Sequence, residues 1–318
     1  MGAVQKAKVE VRLDRHQRAD AAVAAVLRRL LAVVVENLDG AIAGHDIEYL
    51  HQLRIAVRRS RTVQRQFKGV FPALDLPGFR ADFRWLQRAT GPARDLDVSV
   101  DEFESLARLL ADGMRADLEP LRVVLIERRL AARADVEHSL RSQRTAELLH
   151  DWERLLESLL ELPLEDRPRA TDTIGELCGR RIARVYRRII SMGSKIGEAS
   201  AAEEFHELRK KGKELRYLLE LFGAQLFDDE VVGPLIDSLK GLQELLGRHQ
   251  DREVQIAMVR SLTGEVAPRP RGDAACLAMG ALVARLRDDE LAARREFAET
   301  FERLAAADRR TAVTAAFG

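Results

Sequence analysis

The sequence HQLRIAVRRSR occupies residues 51–61, and a related sequence, HELRKKGKELR, occupies residues 206–216. In both, a histidine is followed by basic residues three, seven and ten positions later. Because an α-helix has about 3.6 residues per turn, these spacings place all four side chains of each motif on one helix face. The sequence therefore predicts two helices that each carry a row of positive charge. The basic members of the two rows are Arg54, Arg58 and Arg61, and then Arg209, Lys213 and Arg216.

The agreement between the two motifs extends downstream. Leu86-Gln87 is matched by Leu242-Gln243, and the same offset relates two glycines and two aspartates. The downstream matches are Gly91 with Gly247 and Asp95 with Asp251. So many matches predict an internal duplication of about half the chain. The unit is too long for a solenoid repeat, so we expect a small domain or bundle.

Composition favours a helical protein with local basic surfaces. The chain has 318 residues, of which 46% are hydrophobic, 32% charged and 5% aromatic. The length suits one large or two medium domains of roughly 100–200 residues each. The formal net charge is only +1, yet residues 51–71 and 178–196 each carry six Arg or Lys and no acid. This segregation predicts a focused positive groove on a nearly neutral body.

The sequence also contains features that bear on the cellular location of the protein. The two cysteines lack metal-type spacing, and the N-terminus has no apolar signal-peptide segment. The apolar runs around Arg28-Arg29 are shorter than the roughly 20 residues that span a bilayer. We expect a cytoplasmic protein without a membrane partner.

The predicted fold class is all-α, with two pseudo-symmetric four-helix bundles that arise from the duplication. The Pro-containing segment 162–173 is the predicted linker. The predicted divisions are an N-terminal arm (1–18), a first bundle (19–161), a second bundle (174–307) and a C-terminal tail (308–318).

Breaks and caps are predicted from glycine, proline and aspartate. Gly44 and Asp46 predict a helix end and a new N-cap before the first motif. Gly91-Pro92 is expected to interrupt one helix, and Gly247 to end another. Asp95 and Asp251 are expected to act as N-caps or to orient a row arginine by an ion pair.

The basic rows suit an extended anion. Successive members lie about 5–6 Å apart along a helix, and guanidinium groups donate paired hydrogen bonds to phosphate without losing charge near neutral pH. An ordinary solvated face is the alternative, but surface helices usually interleave acids with bases, and the first row does not. We predict no catalytic residue, metal or cofactor. The predicted anion-binding residues are His51, Arg54, Arg58, Arg61, Arg65, Arg184, Arg188, His206, Arg209, Lys210, Lys213 and Arg216.

The role of the two histidines stays open at this stage. His51 and His206 could donate to phosphate, or they could pair with Asp95 and Asp251 at a corner between helices. A metal site there is disfavoured because the neighbouring arginines would repel a cation.

These motifs resemble the CHAD family, the histidine-containing α-helical domain. The resemblance is carried by residues 51–61 and 86–98 and, in the second half, by 206–217 and 242–254. It implies two four-helix bundles, binding of inorganic polyphosphate through a basic surface, and association with polyphosphate granules. Members also occur fused to triphosphate-hydrolysing CYTH domains, and we expect no such domain in the short N-terminal arm.

Two other functions compete with polyphosphate binding. His45-Asp46, with His16 and Asp95, would suit a metal-dependent phosphohydrolase, although a dipeptide is a weak signal. A nucleic-acid-binding module would also use basic helices. Tyr217 is the main aromatic candidate near the rows, and this scarcity disfavours single-strand binding. We therefore expect polyphosphate as the partner, and we leave the oligomeric state open.

Overall fold

The secondary-structure elements are all helices in the part of the chain that the structure, a computed structural model, describes: residues 3–7 and 9–318. Within these residues the only extended pairing is an isolated antiparallel bridge between Arg18 and Thr173. The prediction of an all-α fold is confirmed.

The first half contains three long helices, the first, second and seventh in chain order, with shorter ones between and after them. Short 3₁₀ turns cover 68–70 and 116–118. The α-helices in order are α1 (Ala19–Ala43), α2 (Ile47–Gln66), α3 (Leu76–Ala89), α4 (Gly91–Asp101), α5 (Phe103–Ala107), α6 (Asp112–Arg115), α7 (Glu119–Arg141) and α8 (Gln143–Ser158).

The second half contains the longest helices. A π-helical turn, 219–223, follows the second motif helix. The α-helices in order are α9 (Ile174–Gly193), α10 (Ala202–Leu218), α11 (Ala224–Leu226), α12 (Asp229–Ser261), α13 (Thr263–Val266), α14 (Gly272–Ala305) and α15 (Ala307–Phe317).

The junction before the first motif helix forms as predicted. Gly44 ends α1 with a φ of 67°, a left-handed conformation that glycine adopts without steric cost. Asp46 is the N-cap of α2, and its side chain accepts a hydrogen bond from the Glu48 amide at 2.8 Å. The cap fixes where the first basic row starts.

The two glycine positions of the duplication behave differently. The chain is interrupted between α3 and α4, where Thr90 separates Ala89 from Gly91. The prediction that Gly247 ends a helix is wrong, because α12 runs through it to Ser261. Pro92 lacks a backbone N–H, whereas Arg248 at the matching position keeps one. A single interior glycine costs only about 1 kcal/mol relative to alanine.

Two hydrophobic cores lie in the molecule, and each draws on both halves of the sequence. The larger core contains Leu27 and Trp152 from the first half with Leu208 and Phe297 from the second. The smaller core joins the N-terminal part of α7 to the C-terminal part of α12 and the N-terminal part of α14. Since neither core belongs to one half alone, the division into two four-helix bundles stays a prediction.

Both termini pack on the body where they are described. In the N-terminal arm, the Ala7 amide donates to the Gln52 side chain at 2.7 Å. The segment predicted as a C-terminal tail contains helix α15, and the Phe317 ring lies 4.7 Å from that of Phe227. Its apolar residues Val313 and Phe317 recur every four positions and are buried.

Candidate functional site

The two motif helices, α2 and α10, lie side by side and line one cleft of about 610 Å³. Two members of each basic row line it: Arg58 and Arg61 from α2, and Arg209 and Lys213 from α10. The structure thus brings together seven of the predicted residues: Arg58, Arg61, Arg65, His206, Arg209, Lys210 and Lys213.

Three cations of the cleft have no acidic partner. In residues 3–7 and 9–318, no carboxylate lies within 4.0 Å of the charged groups of Arg58, Arg61 or Lys213. Burial lowers the pKa of Arg61, and the nearby guanidiniums of Arg84 and Arg65 lower it further. An anion in the cleft would relieve this repulsion.

Lys213 is the most strongly perturbed of these groups. Burial, followed by the positive charges of Arg209 and Arg58, lowers the pKa of Lys213 to about 7. Asp251 opposes the shift but does not cancel it. Lys213 is therefore partly neutral at pH 7 and would gain a proton when an anion binds beside it.

A buried glutamate of α10 holds the two helices together. The side chain of Glu214 is only 4% exposed, and it pairs with Arg65 of α2 at 3.1 Å. It also contacts Lys211 at 2.9 Å and accepts a hydrogen bond from the Gln66 side chain. The charge of Arg65 is therefore already balanced from within the protein.

A second acidic link to α2 comes from Glu220, in the π-helical turn that follows α10. Glu220 pairs with Arg59 of α2 at 2.6 Å and with Arg216 of α10 at 2.9 Å. The Arg59 guanidinium also lies 5.5 Å from the centre of the Tyr217 ring. Arg216, which does not line the cleft, thus serves the contact between the halves.

Arg54 belongs to the interior rather than to the open surface. It is only 8% exposed, and its Nη1 donates to the Gln87 carbonyl at 2.8 Å and to the Thr90 hydroxyl at 2.7 Å. Burial lowers the pKa of Arg54 to about 10, so it stays protonated at neutral pH. The sequence pattern predicts that Arg54 binds an anion with the rest of its row, but the junction between α3 and α4 covers that part of α2.

Arg209 occupies the matching position in the second half. Its Nη2 lies 3.5 Å from Asp251 and would lie 3.6 Å from a Cβ at Gly247. In the first half, a Cβ at Gly91 would lie 3.8 Å from Nη1 of Arg54. In each half the first arginine of the row therefore lies next to the matching glycine, at a distance that a Cβ would also allow.

The aspartates of the duplication are not N-caps, so that expectation is wrong. Asp95 lies inside α4, whose N-cap is Thr90, and Asp251 lies inside α12. The alternative of an orienting ion pair holds for Asp251 and Arg209. Asp95 acts on Arg54 through its charge, which opposes the lowering of the Arg54 pKa.

Neither histidine pairs with its aspartate. His206 Nδ1 shares a hydrogen bond with the side chain of Gln250. For His51, burial and the charge of Arg94 lower the pKa and favour the neutral imidazole. His206 lines the cleft and His51 does not.

Arg184 and Arg188 lie on α9, apart from the cleft. Arg184 lines a separate groove against α15, and Arg188 borders a depression that contains Glu203 and Glu207. Sequence reasoning grouped both with the rows because charge segregation does not reveal which way a helix faces.

Several contributors were not predicted. Lys211, Thr62 and Gln87 line the cleft beside Tyr217, the aromatic residue noted near the rows, and Arg84 approaches Arg61 from α3. The sequence could have predicted the contribution of Arg84, since Arg80, Arg84 and Arg88 recur every four residues and form a basic face on α3.

Comparison with known proteins places this architecture. The model of the CHAD domain matches residues 25–260.

The chain belongs to the CHAD domain family.

Its relatives include two uncharacterized proteins of Mycobacterium tuberculosis, each 28% identical over 260 residues. These alignments cover 75% of this chain and 47% of each relative, so the CHAD chain spans about half the length of the curated relatives it matches. The crystal structure of the CHAD domain from the plant Ricinus communis is similar, with a TM-score of 0.76 and 26% identity over 93% of this chain and 96% of that one. PptA from Streptomyces chartreusis shares the fold, with a TM-score of 0.69 and 18% identity over 90% of this chain and 100% of that one.

The CHAD chain does not assemble the metal site considered for His45-Asp46. Asp46 caps α2, and in the described ranges the only three converging potential ligands are His249, Glu253 and Glu290. Glu290 already pairs with Arg287 at 2.7 Å and with Arg294. These two guanidiniums balance the carboxylate and repel a metal cation.

No described helix of the CHAD chain has both the length and the apolarity needed to cross a bilayer.

Proposed function

We propose that this CHAD-domain protein binds inorganic polyphosphate in the cleft between α2 and α10 and does not hydrolyse it. The observation that carries the proposal is the convergence of Arg58, Arg61 and Lys213, which have no carboxylate partner in the described part of the chain. The polyphosphate association of the family supports it.

The geometry favours an extended ligand over a compact one. The row members Arg58, Arg61 and Arg65 follow one another along α2, about 5–6 Å apart by the rise of an α-helix. Arg209 and Lys213 face them from α10. Two rigidly held rows act as linked sites, so a chain that reaches both gains from effective concentration.

Three finer statements belong to the same proposal. The two halves form pseudo-symmetric bundles, which the matched placement of Arg54 beside Gly91 and Arg209 beside Gly247 supports. The protein is cytoplasmic, and it associates with polyphosphate granules through the cleft.

The proposal is tested by titrating the protein with long-chain polyphosphate, tripolyphosphate, ATP and duplex DNA at one salt concentration. We expect the long chain to bind most tightly and to displace DNA. Equal affinity for tripolyphosphate would indicate a compact pocket instead, and preference for DNA would favour a nucleic-acid module. Release of phosphate with added Mg²⁺ or Mn²⁺ would contradict the absence of catalysis.

A matched pair of variants locates the ligand. Arg58→Ala with Arg61→Ala should weaken long-chain binding by at least about tenfold, since each charge-assisted contact contributes about 1.5–3 kcal/mol. Arg285→Ala removes an exposed arginine of α14 that lies outside the cleft and has no carboxylate partner among the described residues, so the affinity should stay unchanged.

A further inference from the structure

A second groove lies between α9 and α15, and its residues are separate from those of the polyphosphate cleft. Its volume is about 480 Å³, within the usual range of roughly 300–1,000 Å³ for small-molecule sites. Apolar side chains of both helices form its walls. These are Ala183 and Ile190 from α9, and Val313 and Phe317 from α15.

Arginines surround this apolar groove. Arg184, Arg187 and Arg310 are exposed, and none has a carboxylate within 4.0 Å in the part of the chain that the structure describes. Arg180 differs, since it pairs with Asp172 at 3.0 Å. Three uncompensated cations beside an apolar wall fit a ligand with a negatively charged end.

The groove offers few groups that could recognise a sugar or a nucleobase. The Tyr186 hydroxyl donates to the Leu304 carbonyl at 2.9 Å, and the Thr314 hydroxyl donates to the Arg310 carbonyl at 2.8 Å. Because these two hydroxyls already donate within the protein and Ser191 supplies the third, the body of the ligand is better matched to an aliphatic chain than to a sugar or a base.

We propose that this groove binds a single-chain amphiphilic anion, with its aliphatic tail between α9 and α15 and its phosphate or carboxylate head at Arg184, Arg187 and Arg310. Burial of the tail supplies the non-directional part of the affinity. The arginines fix the orientation of the head through charge-assisted hydrogen bonds. The inference assigns Arg184 to this head-group site and does not depend on polyphosphate binding in the other cleft.

Calorimetric titration with monododecyl phosphate, kept below its micelle-forming concentration, tests the proposal. Three further probes separate its parts: inorganic phosphate has the head alone, dodecyl maltoside has the tail with an uncharged head, and monohexyl phosphate has a shorter tail. We expect saturable binding of monododecyl phosphate, weakened at least about tenfold for monohexyl phosphate because fewer methylenes are buried. A carboxylate probe, laurate, tells whether the site distinguishes the two kinds of head.

Variants distinguish the two ends of the ligand. Arg187→Ala with Arg310→Ala should weaken monododecyl phosphate about tenfold or more, while Arg285→Ala should leave it unchanged. Ile190→Asn should weaken the tail contact, and unchanged helical circular dichroism would show that this variant folds. Polyphosphate binding should persist in all three variants, so a negative result for the groove between α9 and α15 can be distinguished from a negative result for the polyphosphate cleft.

Three results would overturn the proposal. Equal affinity for inorganic phosphate would indicate a plain anion site, and equal affinity for dodecyl maltoside would indicate unspecific detergent adsorption. Absence of saturable binding by monododecyl phosphate and laurate would remove the site altogether.

Discussion

Arg54 donates a hydrogen bond to the Thr90 hydroxyl at 2.7 Å and so joins α2 to the junction between α3 and α4. The same guanidinium nitrogen donates to the Gln87 carbonyl at 2.8 Å. The first arginine of the motif is thus part of the interior, and the second begins the surface that faces the cleft. This difference separates two substitutions that the sequence pattern alone treats alike.

Arg54→Ala should destabilise the protein, and Arg58→Ala should not. The first leaves the Thr90 hydroxyl and the Gln87 carbonyl with one partner fewer, which costs about 1–3 kcal/mol in the free energy of unfolding. Arg58 has no such bonds, so its substitution should stay within about ±0.5 kcal/mol while it weakens polyphosphate binding. Urea unfolding and titration of both variants measure the contrast. Equal stability of the two would show that the buried bonds of Arg54 contribute little.

Polyphosphate affinity should fall steeply with salt. Each neutralised phosphate releases a counterion, so the logarithm of the affinity decreases linearly with the logarithm of the salt concentration. Arg58→Ala with Arg61→Ala should reduce that slope by about one for each removed contact. Binding measured over a series of salt concentrations gives the slopes. A slope near zero in the unmodified protein would contradict an electrostatic interface.

Binding should weaken as the pH rises above 7. Lys213 has a pKa of about 7, and an anion favours its protonated form, so the protein takes up a proton on binding near neutral pH. Lys213→Arg keeps its charge across this range and should flatten the pH profile between pH 7 and about 9. Titrations in buffers of different ionisation enthalpy report the proton uptake directly. Identical profiles for the two proteins would exclude Lys213 from the contact.

Lys213 also affects the stability of the unliganded fold. This contribution rises with pH, whereas the contribution of Lys213 to anion binding falls with pH. Its pKa is lowered from 10.5 to about 7 on folding, so between these values the unfolded chain binds more protons. The contribution of this group to the free energy of unfolding therefore increases with pH across that window. Urea unfolding at pH 7 and about pH 9 should show this increase, and Lys213→Arg should lack it.

Glu214→Gln should lower stability and raise polyphosphate affinity together. The carboxylate is buried and holds Arg65 and Lys211, so its neutralisation should cost about 1–3 kcal/mol in the free energy of unfolding. The same change frees two cations at the cleft. Glu207→Gln is the matched control for stability alone, since Glu207 also lines the cleft but is exposed and pairs with Lys210 at 2.5 Å. The control should leave stability nearly unchanged, because exposed pairs contribute about 0–1 kcal/mol. Lower affinity in Glu214→Gln would mean that its role in positioning Arg65 outweighs its competing charge.

The helical fold and much of the cleft were predictable from local patterns. The spacing in residues 51–61 and 206–216 predicts two one-sided basic helices, and these line the same cleft. Gly44 and Asp46 also predict the start of α2 correctly, because capping depends on a few neighbouring residues.

The predictions that failed concern residues whose positions depend on contacts between segments distant in sequence. Arg54 is buried by the α3–α4 junction, and helical periodicity carries no information on that neighbour. The sequence also does not show that Glu214 of α10 contacts Arg65 of α2, or that Glu220 of the following π-helical turn contacts Arg59. Arg184 has the right charge but lies on another surface, because the orientation of α9 is set by its packing against α10 and α15.

The sharing of both hydrophobic cores between the halves limits how such a protein can be divided. A fragment that stops at residues 162–173 would keep α7 without its partners from α12 and α14, and Trp152 without the second half of its core. Although the sequence motif occurs twice, each half depends on the other to bury its hydrophobic side chains. Replacing one half by a different sequence would therefore have to preserve the buried surfaces of both cores at once.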